Sequence, residues 1–119
     1  MATLQQLNKQ AIGFVERKSR KKFELKPTIR YGRNCTNHTK EKNGKISSAT
    51  IVIDRKLSKP QYRRLLKPVI IHEARENLGF QHYENFQTAH RAARKLELQV
   101  MGKDKREIEK LAREAGYYG

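Results

Sequence analysis

Cysteine, acidic residues and long apolar runs are scarce in this 119-residue chain. A single cysteine, Cys35, excludes an internal disulfide and suits a reducing compartment. No stretch approaches the roughly 18 consecutive apolar residues of a membrane-spanning helix, so no membrane partner is expected. The first ten residues, MATLQQLNKQ, lack a charged head followed by an apolar stretch, so no secretory signal is expected and an intracellular location is. No glycine-rich phosphate loop, dinucleotide fingerprint or serine nucleophile elbow occurs, which removes the commonest nucleotide-binding and acyl-transfer classes.

Acidic residues number 12 against 27 Lys plus Arg, a formal charge of +15. The excess is uneven: residues 1–45 carry +9 and residues 46–119 carry +6. Its densest cluster is Arg17, Lys18, Arg20, Lys21 and Lys22, followed by Arg30, Arg33, Lys40, Lys42 and Lys45. Such a surface predicts nucleic acid or another polyanion as partner, bound with steep salt dependence and little sequence preference. A solubilising surface is the plainer alternative. Apolar residues make up 36%, enough for one small core, and the length fits a single domain over 1–119. Within it, 1–45 reads as a basic helix and a first strand with its loop, and 46–119 as a strand followed by helices.

Leu4, Leu7, Ala11, Phe14 and Val15 recur at helical spacing, and Thr3 with Gln6 forms a capping box, predicting a helix from Thr3 to Lys21. Phe23, Leu25, Ile29 and Tyr31 alternate like a strand, with Pro27 favouring an edge or a break. The polar stretch from Gly32 to Lys45, with Asn43-Gly44, reads as a turn or long loop. Ile46 to Asp54 returns to strand character, and the two strands are expected to form an antiparallel hairpin. Beyond it, Ser58 and Pro60 open a helix that Pro68 should break or kink near Lys67. A second run, Val69 to Leu78, should stop at Gly79. Helices from Asn85 to Met101 and from Asp104 to Ala115 complete an α+β domain: an N-terminal helix, a β-hairpin and three helices.

The chemistry concentrates between Ile70 and His82. His72 and Glu76 are four apart, so on a helix they stack on one face within about 40° and can grip one divalent cation together. Glu73 stands about 100° around from His72, placed to act on water at such a cation without ligating it. Gly79 can reverse the chain and return His82 to the same point. A second candidate is His90, which shares a helix face with Phe86, Ala93 and Glu97, so that Glu97 could back the ligand set as a hydrogen-bond acceptor.

The order His72-Glu73-x-x-Glu76-x-x-Gly79-x-x-His82 resembles the extended zincin metallopeptidase motif, with Glu76 where the second zinc histidine stands. The apolar strand Ile51-Val52-Ile53 and the run Val69-Ile70-Ile71 before the His-Glu pair are similar to the setting of that motif in small zincins. The resemblance covers about residues 46–102. It implies Zn²⁺ as cofactor, His72, Glu76 and either His82 or His90 as ligands, and Glu73 as general base. The block Ala89-His90 … Ala93 … Glu97 also resembles small phage- and plasmid-borne proteins, for which a virion would be a second location. Against these stands a plain alternative: His72 and Glu76 as a surface pair, Glu73 and Arg75 on a solvated face, and His82 in a loop.

Two weaker features remain. Cys35 and His38 offer half a zinc site or an activated thiol, with no second cysteine to complete the usual set. Tyr117-Tyr118 could stack on bases or form a packed tail. Three functions are therefore expected in order: a zincin-like metal-dependent hydrolase with a protein substrate in a nucleic-acid setting, a basic nucleic-acid-binding protein with a structural or degenerate metal site, and a metal-dependent nuclease. In the second, Arg91, Arg94 and Lys95 add to the phosphate-binding residues.

Overall fold

The computed structural model describes residues 2–117. Helix α1 (Leu4–Ser19) leads to a three-stranded sheet of β1 (Thr28–Gly32), β2 (Thr36–Lys42) and β3 (Lys45–Asp54). Two 3-10 turns, Arg55–Ser58 and Pro60–Leu65, follow, then α2 (Leu66–Gln81), α3 (Phe86–Met101), a 3-10 turn at Gly102–Asp104, and α4 (Lys105–Ala115). The α+β layout is the one expected from the sequence. Thr3 caps α1 as the capping box required: its Oγ1 accepts from the Gln6 N–H at 3.1 Å, and Gln6 Oε1 accepts from the Thr3 N–H at 2.8 Å. The helix stops at Ser19, two residues before Lys21, and its C-cap Arg20 takes a left-handed conformation.

The sheet departs from expectation. Its order is β1-β3-β2, with β1 parallel to β3 (Ile29 opposite Ile51) and β2 antiparallel to β3. The antiparallel hairpin is thus β2–β3, turning at Asn43-Gly44, and most of the segment expected as loop is strand. Residues 36–42 read TNHTKEK, with no apolar alternation, because this edge strand buries almost nothing and is held by its backbone ladder to β3. Central β3 has buried Ile51, Val52 and Ile53 in succession, as a strand covered on both faces does.

Prolines and glycine also act differently from expectation. Ser58 does not cap the turn that Pro60 opens: it ends the preceding one, which Asp54 caps by accepting from the Lys56 N–H at 2.9 Å, and the Pro60–Leu65 turn follows Lys59 with no side-chain cap. Pro68 is the third residue of α2, where its missing N–H has no intrahelical partner to lose, so it opens the helix instead of breaking it. The helix continues past Gly79 to Gln81. Gly79 is needed for packing: a Cβ there would overlap the Glu84 carboxylate and lie 2.9 Å from Ala89 Cβ on α3.

Helix α2 is the centre of the molecule. It packs on the sheet through β2 and β3 and on α1 and α3, and from Pro68 to Gly79 every residue is buried. Val69, Ile70, Ile71 and Leu78 join Val15, Ile51, Ile53, Leu57 and Leu65 in the core, which Ile108 and Ala112 of α4 close. Each such side chain contributes about 1.5–3 kcal/mol on burial. A helix enclosed on all sides should be apolar all round. This one instead buries His72, Glu73, Arg75, Glu76, Asn77 and Gln81, groups that are costly to bury unless each finds a partner.

Candidate metal centre

Antiparallel packing of α2 and α3 builds the site. Asn85 caps α3, its Oδ1 accepting from the Thr88 N–H at 2.8 Å, after a reversal of a few residues from the end of α2. The pairing then sets His90 against Glu76 and Glu97 against His72. Glu76 Oε2 lies 2.7 Å from His90 Nδ1 and 3.2 Å from His72 Nε2. One ligand atom from each of His72, Glu76 and His90 falls within 4.8 Å of the others, a group that could hold a metal ion. His72 Nδ1–H donates to Glu97 Oε1 at 2.6 Å. Glu97, 1% exposed, accepts through Oε2 from Arg94 at 2.7 Å, and Arg94 also donates to Glu109 of α4 at 2.7 Å.

The donor set suits a divalent ion. With Nδ1–H committed to Glu97, the His72 ring is held with Nε2 toward Glu76, the arrangement by which a carboxylate orients a metal-binding imidazole. Without a metal, protons balance the cluster. Burial alone would lower the His72 pKa, but hydrogen bonds from the ring to the Glu76 and Glu97 carboxylates outweigh it and raise it to about 9. Burial likewise opposes ionisation of Glu76, yet the two imidazoles outweigh it and hold that carboxyl below the ordinary range. Glu73 goes the other way: burial raises its pKa, only partly offset by a hydrogen bond from Asn37.

Asn37 of β2 is a member of the site that its sequence position does not announce. Its Nδ2 donates to Glu73 Oε1 at 2.9 Å and to Glu76 Oε1 at 3.2 Å, so one amide spaces the two carboxylates. Asn77 donates to Asn37 Oδ1 and to the His38 carbonyl, at 3.3 and 3.2 Å. Gln81 in turn donates to Asn77 Oδ1 and to the Leu25 carbonyl, both at 2.9 Å. Glu73, Asn77 and Gln81 recur every four residues beside His72 and Glu76. Two polar stripes on an otherwise apolar helix were a signal available to find Asn77 and Gln81. Nothing in TNHTKEK marks Asn37.

Other expected residues fall elsewhere. Because α2 does not reverse at Gly79, His82 sits exposed at its end, donating from Nε2 to the Lys22 carbonyl at 2.9 Å. The structure therefore gathers His90, not His82, with His72 and Glu76. It also overturns the reading of His72 and Glu76 as a surface pair and of Glu73 and Arg75 as a solvated face, since all four are buried. Burial pushes the Cys35 thiol up to about 11, and its sulfur accepts the Asp54 N–H at 3.3 Å, which makes it a poor nucleophile. Among the described residues Cys35 and His38 join no metal-binding group. The Tyr117 hydroxyl is buried, as in a packed tail, and Tyr118 lies outside the described residues.

The basic residues divide. Arg17 and Lys18 end α1 and Arg20 caps it, while Lys21 pairs with Glu84 at 3.3 Å. Lys40, Lys42 and Lys45 flank the β2–β3 turn, whereas Arg30 lies on β1 and Arg33 just beyond it, near Asp54. The length of β3, about 30 Å at 3.3 Å per residue, separates Lys45 from the Arg33 end. They do not form one loop cluster. Comparison with family models, with curated proteins and with solved structures finds no match to this chain.

Proposed function

We propose that this protein is a zinc-dependent hydrolase of the zincin type, with His72, Glu76 and His90 as ligands and Glu73 as general base. One observation carries the reading. The converging group comprises three ligands, two imidazoles and one carboxylate, and its third member, His90, is half-exposed. Structural zinc sites are closed by four ligands, whereas catalytic ones keep a position open, and two His with one Glu is an established catalytic set. A bound cation would supply Lewis acidity and lower the pKa of water.

The chain's own residues supply the rest. Glu97 and Arg94 fix the His72 ring, and Asn37 holds Glu73 beside Glu76 without either carboxylate moving freely. A carboxyl whose proton affinity is raised by burial suits a group that takes and returns a proton. Metal-dependent nucleases favour harder, carboxylate-rich sets with Mg²⁺, which two imidazoles fit less well.

The test is elemental analysis of the purified protein, paired with hydrolysis of a fluorogenic peptide library. About one zinc per chain is expected. Glu73→Gln should keep the metal and lose hydrolysis, while His72→Ala and His90→Ala should lose both. Full hydrolysis by Glu73→Gln, or failure of the zinc-reconstituted parent to retain metal, would overturn the proposal.

A further inference from the structure

On the outer face of α3 a large, exposed aromatic ring shares a depression with cations that have no acidic partner among the described residues. Phe86, Gln87, His90, Arg91, Arg94, Lys95 and Leu98 line a hollow of about 620 Å³. Phe86 is 62% exposed although one face of its ring stacks on His90 (centroids 5.3 Å apart, planes at 17°), so the opposite face is open to solvent. Lys95 also lines a second hollow, of about 220 Å³, which Lys18 and Ser19 of α1 share with Ala92 and Gln99 of α3. The two hollows thus have a common wall. They connect the ring of Phe86 to the basic end of α1.

Charge is distributed to match. Lys21, Arg64, Arg75 and Arg94 are committed to carboxylates. Among the described residues, Arg17, Lys18, Arg20, Arg91 and Lys95 have no acidic partner within 4.0 Å, and all are exposed. A ligand for this track must be anionic along its length and carry a flat aromatic unit for Phe86. Single-stranded nucleic acid has both: phosphates at every step, and bases whose faces are free to stack. A duplex hides its base faces, and an acidic peptide has no regular aromatic planes.

We infer that the outer face of α3 and the end of α1 form a docking track for single-stranded nucleic acid. A base stacks on the open face of Phe86, and the phosphates lie against Arg91, Lys95 and Lys18. From Phe86 to Lys95 the track follows nine residues of helix, about 13 Å. It passes His90 without using the metal, so it stands whether or not the hydrolase reading does.

The experiment is fluorescence anisotropy of labelled (dT)20 with the full chain, untreated and chelator-stripped, between 50 and 200 mM KCl. Neutralising three phosphates of a single strand gives a log–log salt slope near −2, hence about 20-fold weaker binding across that range. Phe86→Ala, a surface change, should weaken binding roughly 5- to 100-fold with an unchanged slope. Arg91→Glu with Lys95→Glu should weaken it and flatten the slope, whereas Lys105→Glu with Arg106→Glu on α4, equal in charge, should do much less. Stripped and untreated protein should bind alike. No binding, equal losses from the α3 and α4 pairs, equal affinity for a (dA)20·(dT)20 duplex, or equal displacement by poly-glutamate would each overturn the assignment.

Discussion

Glu97→Gln is the sharpest probe of the metal centre because it changes one charge and almost no volume. Glu97 accepts two hydrogen bonds, from His72 Nδ1–H at 2.6 Å and from Arg94 at 2.7 Å, and is 1% exposed. A glutamine has one acceptor oxygen. Whichever way it is turned, its NH2 faces either the imidazole N–H or the guanidinium. In the zinc-loaded variant, where the His72 proton would be held on Nδ1, one buried donor is left unsatisfied, at a cost of about 1–3 kcal/mol in stability. With the charge gone, the His72 ring is less basic and less firmly aimed. Loss of such a supporting carboxylate lowers metal affinity about 10- to 100-fold, or roughly 1.4–2.7 kcal/mol. Competition for zinc against a chromogenic chelator at fixed pH reads the affinity, and urea unfolding in parallel reads the stability. Wild-type affinity in the variant would refute the supporting role. Loss as complete as in His72→Ala would mean that Glu97 is itself a ligand.

Three further outcomes follow from the same geometry. His72 has its pKa raised on folding, so in chelator-stripped protein its contribution is complete below about pH 6.5 and is lost as pH rises through about 9. The shift corresponds to at most roughly 3 kcal/mol, measured as the fall in urea stability between pH 6 and pH 9.5, and a flat profile would contradict it. His82→Ala should leave zinc stoichiometry unchanged where His90→Ala lowers it; the reverse pattern in elemental analysis would reinstate the residue at zincin spacing. Gly79→Ala should destabilise by about 1–3 kcal/mol in urea, because its methyl would press on Glu84 and Ala89 across the α2–α3 contact, and a neutral result would show that the contact yields.

Much of this was legible in the order of residues, for identifiable reasons. The capping box at Thr3 and Gln6 and the apolar periodicity of α1 and α3 are local signals, and these survived into the structure. The four-residue step from His72 to Glu76 is local as well. What was illegible depended on partners distant in the chain. β2 carries no apolar alternation because it is an exposed edge, and the direction of β1 relative to β3 is set by a connection, not by either strand's composition. Pro68 reads as a breaker unless the helix is known to begin just before it. The choice between His82 and His90 turned on whether Gly79 ended α2. Gly79 instead stays helical and makes room for Ala89, ten residues further on, and no periodicity reports such an approach.

The chain of contacts from His72 through Glu97 and Arg94 to Glu109 has a consequence for the order of assembly. The α2–α3 pairing that gathers His72, Glu76 and His90 also brings Glu97 to His72, but Glu109 follows His90 by 19 residues. At about 5–20 residues per second that interval is roughly 1–4 s. On the proposed reading, the three ligands can therefore meet an ion before Glu109 of α4 takes hold of Arg94. A centre still short of that outer anchor selects less by geometry and more by which divalent ion is available. The docking of α4 then locks in a choice that the finished site did not make.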